Sequence, residues 1–247
     1  MGLIFYAFLI SKAQEVLEKQ YRAAVQYFIQ CVKNNDVKAL ANKVIYPMPR
    51  PYPLPPIKDK QDFIRHYHEI FDDSLRNVII HSDVVHDWST AGFRGIMLNN
   101  GLLWLDYDGS LEVINRLSAA ERKQRQQLIE EDRKNLCPAL ADFYKPVIVM
   151  KTDKYKFRID QMKDGTYRFA MWNADEPMSQ KPLEIIPNGK FNIEGSEGNK
   201  IYIFKTDNYE YDCFVNSYYE GPGTGSLLIY DKDNKEIYRG DAKVTGY

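Results

Sequence analysis

From Pro146 onward, turn signals recur about every eight to twelve residues, and this spacing limits the fold more than any other feature of the chain. The signals are Lys163-Asp-Gly165, Pro187-Asn-Gly189, Glu197-Gly-Asn199, Thr206-Asp-Asn208, Gly221-Pro-Gly223 and Asp231-Lys-Asp-Asn234. Between them lie "YKFRIDQM", "TYRFAMW", "KIYIFKT", "YEYDCFVN" and "SLLIYD", in which apolar and polar residues alternate. Period two places alternate side chains on opposite faces of a strand, so these segments cannot bury an apolar face as helices. A run of about 100 such residues is an all-β sandwich or barrel. The expectation adopted is an antiparallel β-sandwich over residues 146–247.

The first half has a different period. Val16, Leu17, Tyr21, Ala24, Tyr27, Phe28, Cys31 and Val32 recur at three- and four-residue intervals, the mark of an amphipathic helix. "NND" ends it, and Asp36 is placed to cap a short second helix. "KQDFIRHYHEIFDD" predicts a third helix that buries Phe63, Ile64, Tyr67, Ile70 and Phe71. Strands follow, with Asn100-Gly101 as a two-residue hairpin turn and Asp108-Gly109 as a second turn. Ser118 with Glu121 is a capping box, so a charged helix starts there and links the two halves over residues 118–145. The α+β unit then covers residues 14–117, with three helices on one face of a curved sheet.

The segments "AAVQYFIQCVKNNDVKALANKVIYP", "KDKQDFIRHYHEIF" and "FRGIMLNNGLLWLD" resemble the NTF2-like superfamily. The whole chain is also similar to two-domain exported proteins of Gram-negative bacteria. The resemblance implies a cone of helices and bent sheet around a pocket. That fold hosts isomerases, dehydratases, transport adaptors and plain binders, so it does not choose among them.

Within such a cone the hairpin register sets Leu98 opposite Leu103, Met97 opposite Trp104, Ile96 opposite Leu105, Gly95 opposite Asp106 and Arg94 opposite Tyr107. One face carries Gly95, Met97, Trp104 and Asp106, and a carboxylate opposite a glycine has open space before it. Asp106 is therefore the expected polar group of a ligand pocket walled by Trp104 and Met97. In ketosteroid-isomerase-like members a desolvated acid does the acid–base work, which makes Asp106 the one weak catalytic candidate. Tyr46, Tyr52 and Trp88 are expected to line or close the cone. The opposite face, with Arg94 and Tyr107, is where a homodimer would form.

The run "YPMPRPYPLPPI" formally satisfies R-x-x-P-x-x-P from Arg50 to Pro56. A stiff loop across the cone mouth is the expected reading, since proline-rich segments lose little entropy on ordering. Docking to a proline-binding module is the alternative. His81, Asp83 and His86 match no strong metal spacing, "DYDGSLE" and "DKDNKE" fall short of a calcium loop, and "GPGTGS" lacks the rest of a phosphate loop. No metal or cofactor is expected. Cys31, Cys137 and Cys213 form no C-x-x-C pair.

With 33 Lys+Arg against 34 Asp+Glu, the formal charge of −1 gives no reason to expect nucleic acid. The apolar stretch Leu3 to Ile10 followed by Ser11-Lys12-Ala13 fits a signal peptide over residues 1–13, although the n-region lacks a positive charge. It is too short for a membrane anchor. Export to the periplasm or medium is the expectation; without cleavage the protein stays in the cytoplasm. The function expected is non-enzymatic binding of a small molecule or a partner's segment in the cone, with the C-terminal half as an interaction module. The alternatives are a ketosteroid-isomerase-like enzyme using Asp106, and an immunity or adaptor protein acting through a protein interface.

Overall fold

The computed structural model describes residues 17–195, 198–216 and 223–245; the expected signal peptide lies outside them. The chain divides into two compact units, Met1–Tyr46 with Lys60–Arg116, and Pro47–Asp59 with Leu117–Tyr247.

Four helices make up much of the first unit, where the sequence pattern predicts three. Helix α1 (Lys19–Lys33) buries Val25, Phe28, Ile29, Cys31 and Val32. Asn35 then turns the chain in the left-handed region at φ 54°. The Asp36 side chain accepts from Ala39 N at 3.0 Å and starts α2 (Val37–Ala41). Helix α3 (Lys60–Ile70) ends one residue before Phe71, and Asp72 caps a separate helix, α4 (Asp73–Ile80), through Leu75 N at 2.8 Å. The extra helix follows from the cap: a carboxylate that accepts from a first-turn N–H satisfies one of the orphan donors of a new helix.

Strands β1 (Trp88–Thr90), β2 (Ile96–Leu98), β3 (Leu103–Leu105) and β4 (Leu111–Ile114) form an antiparallel meander of three- and four-residue strands. The register sets Ile96 against Leu105, Met97 against Trp104 and Leu98 against Leu103, as the sequence predicts. The connection is a four-residue loop, Asn99 to Leu102, in place of a two-residue turn.

The sandwich expected for the C-terminal half is corrected to a barrel. Strands β5 (Lys145–Lys151), β6 (Tyr155–Gln161), β7 (Tyr167–Asn173), β8 (Glu184–Glu194), β9 (Asn199–Lys205), β10 (Tyr209–Val215), β11 (Thr224–Asp231) and β12 (Glu236–Val244) run up and down in sequence order. The sheet closes through Lys243 against Lys151 and Val244 against Met150. A sandwich and a barrel share the same period-two alternation, so the pattern does not separate them; strand pairing across the first and last strands does. The barrel interior is filled by Ile148, Met150, Phe157, Ile159, Phe169, Tyr202, Phe204, Tyr211, Cys213, Leu227 and Ile229, among others. Gly189 is required there, because a Cβ at this position would overlap the ring of Phe204.

Helix α5 (Ala119–Asn135) belongs to the barrel unit, and its capping box forms as expected: Ser118 Oγ accepts from Glu121 N at 3.0 Å and Glu121 accepts from Ser118 N at 2.8 Å. Ile129, Leu136, Cys137, Leu140 and Phe143 pack on Ala170 and Trp172 of β7. Beside them runs a buried ion network. Asp160 is 1% exposed and meets Arg158 and Arg168, each at 2.8 Å, while Arg158 also pairs with Asp132 of α5 at 2.7 Å. Three of the four groups are buried, and such charges are tolerated inside a protein because they are mutually paired.

Candidate functional site

From Pro47 onward the proline run is part of the barrel unit, where it forms a pinned strap. Met48 and Ile57 bridge its two ends with reciprocal backbone hydrogen bonds of 2.9 Å. The Tyr52-Pro53 peptide is cis, and Met48, Pro53, Leu54 and Ile57 are buried. Arg50 pairs with Glu121 of α5 at 3.1 Å, with both side chains only 3% exposed. Arg125, one turn further along α5, donates from Nε to the Tyr52 carbonyl at 2.8 Å. An arginine buried in an ion pair cannot serve an outside proline-binding groove. The R-x-x-P-x-x-P match is thus a structural latch in this conformation.

Beside the strap lies a recess of about 280 Å³. Its cations are Arg125, Lys145 and Lys200; its rings are Tyr52, Tyr167 and Tyr202; Pro51, Pro146, Val147 and Gln161 complete it. No carboxylate is among these residues. Burial pushes the Arg125 guanidinium down from the usual arginine value, and the Tyr144 hydroxyl opposes this shift. Lys145 stands 6.0 Å from the ring centre of Tyr144. Tyr167, Tyr202 and Phe191 form a three-ring cluster with centroids 5.0 to 5.7 Å apart. Burial also raises the Tyr202 hydroxyl far above the ordinary tyrosine value, so it stays a neutral donor and acceptor.

The other recesses differ in chemistry. One, about 580 Å³, places Lys151 and Lys243 with Asp153 and Asp241, so its charges balance. A third, about 410 Å³, is edged by Pro47, Pro49, Arg50 and Pro56 of the strap with Thr224, Lys243 and Val244. In the N-terminal unit, a shallow recess of about 570 Å³ joins His68, Asp72, Asp73 and Arg76. It contains carboxylates, unlike the basic recess, and Asp72 there pairs with Arg116 while Arg76 donates to Tyr67.

The residues expected around Asp106 are arranged otherwise than the cone reading requires. The buried face of the hairpin carries Ile96, Leu98, Leu103 and Leu105, all 0% exposed, while Met97 and Trp104 lie half-buried on the opposite face. No open space lies in front of Gly95: at φ 87° a Cβ there would run into the Leu105 carbonyl, with Asp106 Cα 3.3 Å away. Asp106 begins a turn, accepting from Gly109 N at 2.9 Å through its carbonyl and from Tyr107 N at 2.7 Å through its carboxylate. Trp88 is wholly buried, donating to Ser82 Oγ at 2.9 Å and meeting Phe28 edge-on. Tyr46 donates to the Ala41 carbonyl at 2.9 Å. Tyr107, assigned to the dimer face, packs on Tyr21 of α1 with centroids 4.5 Å apart.

Among the described residues no group of three His, Cys, Asp or Glu side chains is gathered as a metal site. Asp83 instead caps its own loop, accepting from Val85 N and His86 N, and His81 bonds the Asn77 carbonyl. No helix among the described residues is long and apolar enough to cross a membrane.

Of the site residues expected from sequence only Tyr52 lies in the basic recess. Arg125, Lys145, Gln161, Tyr167, Lys200 and Tyr202 come from α5 and four strands, and no local motif joins them. A weak signal was present: Lys145 and Lys200 sit at the starts of strands, where closure of a barrel gathers strand ends. No protein-family model matches this chain, and neither a curated protein nor a solved structure matches it.

Proposed function

We propose that the protein is an exported, non-enzymatic binding protein whose barrel unit takes a small anionic ligand in the basic recess beside the proline strap. One observation carries this reading: Arg125 is a partly buried cation grouped with Lys145 and Lys200 in a recess where no carboxylate is among the described lining residues. Withdrawing a charge from water is costly unless an opposite charge or a full set of hydrogen bonds compensates. The Tyr52 carbonyl accepts from Nε of Arg125. An anion in the recess supplies the missing countercharge and accepts from the rest of the guanidinium fork.

Export is the part of the reading that rests on the apolar run Leu3 to Ile10 and the following Ser11-Lys12-Ala13. The ligand is placed in the barrel unit, away from Asp106, because Asp106 is engaged in a turn and the Met97–Trp104 face is not the buried one. An eight-stranded barrel with a filled interior leaves its rim as the place for recognition, and this recess lies at the rim.

The test is a titration of ¹⁵N-labelled protein with inorganic phosphate, followed at the backbone amides of Tyr52, Gln161 and Lys200. Saturable shifts that disappear in Arg125→Gln are expected. Shifts that are absent, or that persist unchanged in that variant, overturn the reading.

A further inference from the structure

Taking the basic recess as an anion site, we infer that its ligand is an acidic arene: a single aromatic ring bearing a carboxylate or a phosphate, and not a sugar acid. Three properties of the recess lead there.

The first is the imbalance of donors over acceptors. Arg125, Lys145 and Lys200 are donors only, and among the described lining residues the side-chain acceptors are the Gln161 amide oxygen and the tyrosine hydroxyls. A sugar acid brings several hydroxyl donors, and each one taken from water without an acceptor lowers affinity. An arene brings none. Its anionic group uses the cations, and its ring asks for nothing but apolar contact.

The second is the wall. Tyr167 and Tyr202 stand in a T-shaped arrangement with centroids 5.1 Å apart, and the Phe191 ring lies 5.0 Å from Tyr202. Tyr202 is 4% exposed, so this cluster is anchored in the barrel core, and Tyr167 and Tyr52 remain half-buried at the recess. Pro51 adds a flat apolar ring from the strap. Aromatic surfaces held in this way favour edge-to-face or offset contact with another ring.

The third is size. A recess of about 280 Å³ corresponds to roughly nine water molecules at about 30 Å³ each. That is room for one ring with its acidic group, and it is less than most drug-sized ligands occupy.

The experiment compares benzoate, acetate, phenyl phosphate, inorganic phosphate and glucuronate as ligands of the whole chain, by the same amide shifts and by calorimetry. Benzoate is expected to bind about tenfold more tightly than acetate, and phenyl phosphate about tenfold more tightly than inorganic phosphate, as one ring contact provides. Glucuronate is expected to bind no more tightly than acetate. Binding should be lost in Arg125→Gln, and also in Lys200→Gln, an exposed position that keeps the test valid if the first variant folds poorly.

If acetate or glucuronate matches benzoate while binding still depends on Arg125 or Lys200, the recess remains an anion site and the arene inference is overturned. If no anion responds in a way that depends on either residue, the anion reading fails and the inference goes with it.

Discussion

Substituting Glu121 by Gln isolates the latch between the proline strap and helix α5. Glutamine at the third helical position still completes a capping box with its one oxygen on Ser118 N, which turns its NH2 group toward Arg50, so the change removes both the charge and the acceptor facing Arg50 Nε. At 3.1 Å and an effective dielectric of about 20, the attraction between Arg50 and Glu121 is about 5 kcal/mol. Gln124 Oε1, 3.4 Å from Arg50 Nη2, remains as an acceptor, and tightening of that bond recovers about 1 kcal/mol. A net loss of about 4 kcal/mol is therefore expected, within the range for breaking a buried pair from one side.

Arg50→Met, which strands the carboxylate instead, should cost a similar amount. The double variant should return to within about 1 kcal/mol of the parent, because neither charge is left alone. Trp172 is the only tryptophan of the barrel unit, with Trp88 and Trp104 in the other, so urea unfolding can be followed at its own ¹⁹F signal in fluorotryptophan-labelled protein. Additive losses below about 1 kcal/mol for each single variant would mean that water reaches the pair, and the latch account of the R-x-x-P-x-x-P run would be wrong.

Other perturbations test separate parts of the barrel unit by the same unfolding signal. Asp160→Asn leaves Arg158 and Arg168 without their shared carboxylate and should cost about 3–5 kcal/mol; a loss under 1 kcal/mol would show the network to be hydrated. Gly189→Ala forces a methyl group into the Phe204 ring and should cost about 1–3 kcal/mol, with unchanged stability arguing against the close packing. Asp212 on β10 has its carboxyl pushed up to about 6, chiefly by burial and then by Glu210. Its folded-state value thus exceeds the ordinary value of 3.8, the folded protein holds the proton more tightly, and stability falls as pH rises through the window from about 4 to 6. Asp212→Asn should therefore be more stable than the parent at pH 8 by about 1 kcal/mol after solvent screening, with the gain gone at pH 4. A gain that is the same at both pH values would contradict that assignment.

Local rules account for much of what the sequence shows in advance. The capping box at Ser118 and the cap at Asp36 form as read, since each involves groups three residues apart whose geometry the helix start dictates. The hairpin register from Ile96 to Leu105 also follows from its turn residues. Which hairpin face is buried was not legible: both Ile96–Leu105 and Met97–Trp104 are apolar, so alternation alone assigns neither to the core. Helix α4 was hidden because Asp72 reads equally well as the end of one helix and the cap of the next.

At the level of the whole molecule, the sequence by itself determined that the second half is antiparallel β-structure, that a helix begins at Ser118 and that the proline run is stiff. All three are set by backbone dihedral preferences and by neighbours a few residues away. Only the tertiary structure decided that the last strand returns to the first, that Arg50 is buried against Glu121, and that Arg125, Lys145 and Lys200 line one recess with no carboxylate among its described residues. Each of those depends on groups from about 70 to more than 90 residues apart or on strand ends gathered by closure, and period-two alternation has the same form whether or not a sheet closes.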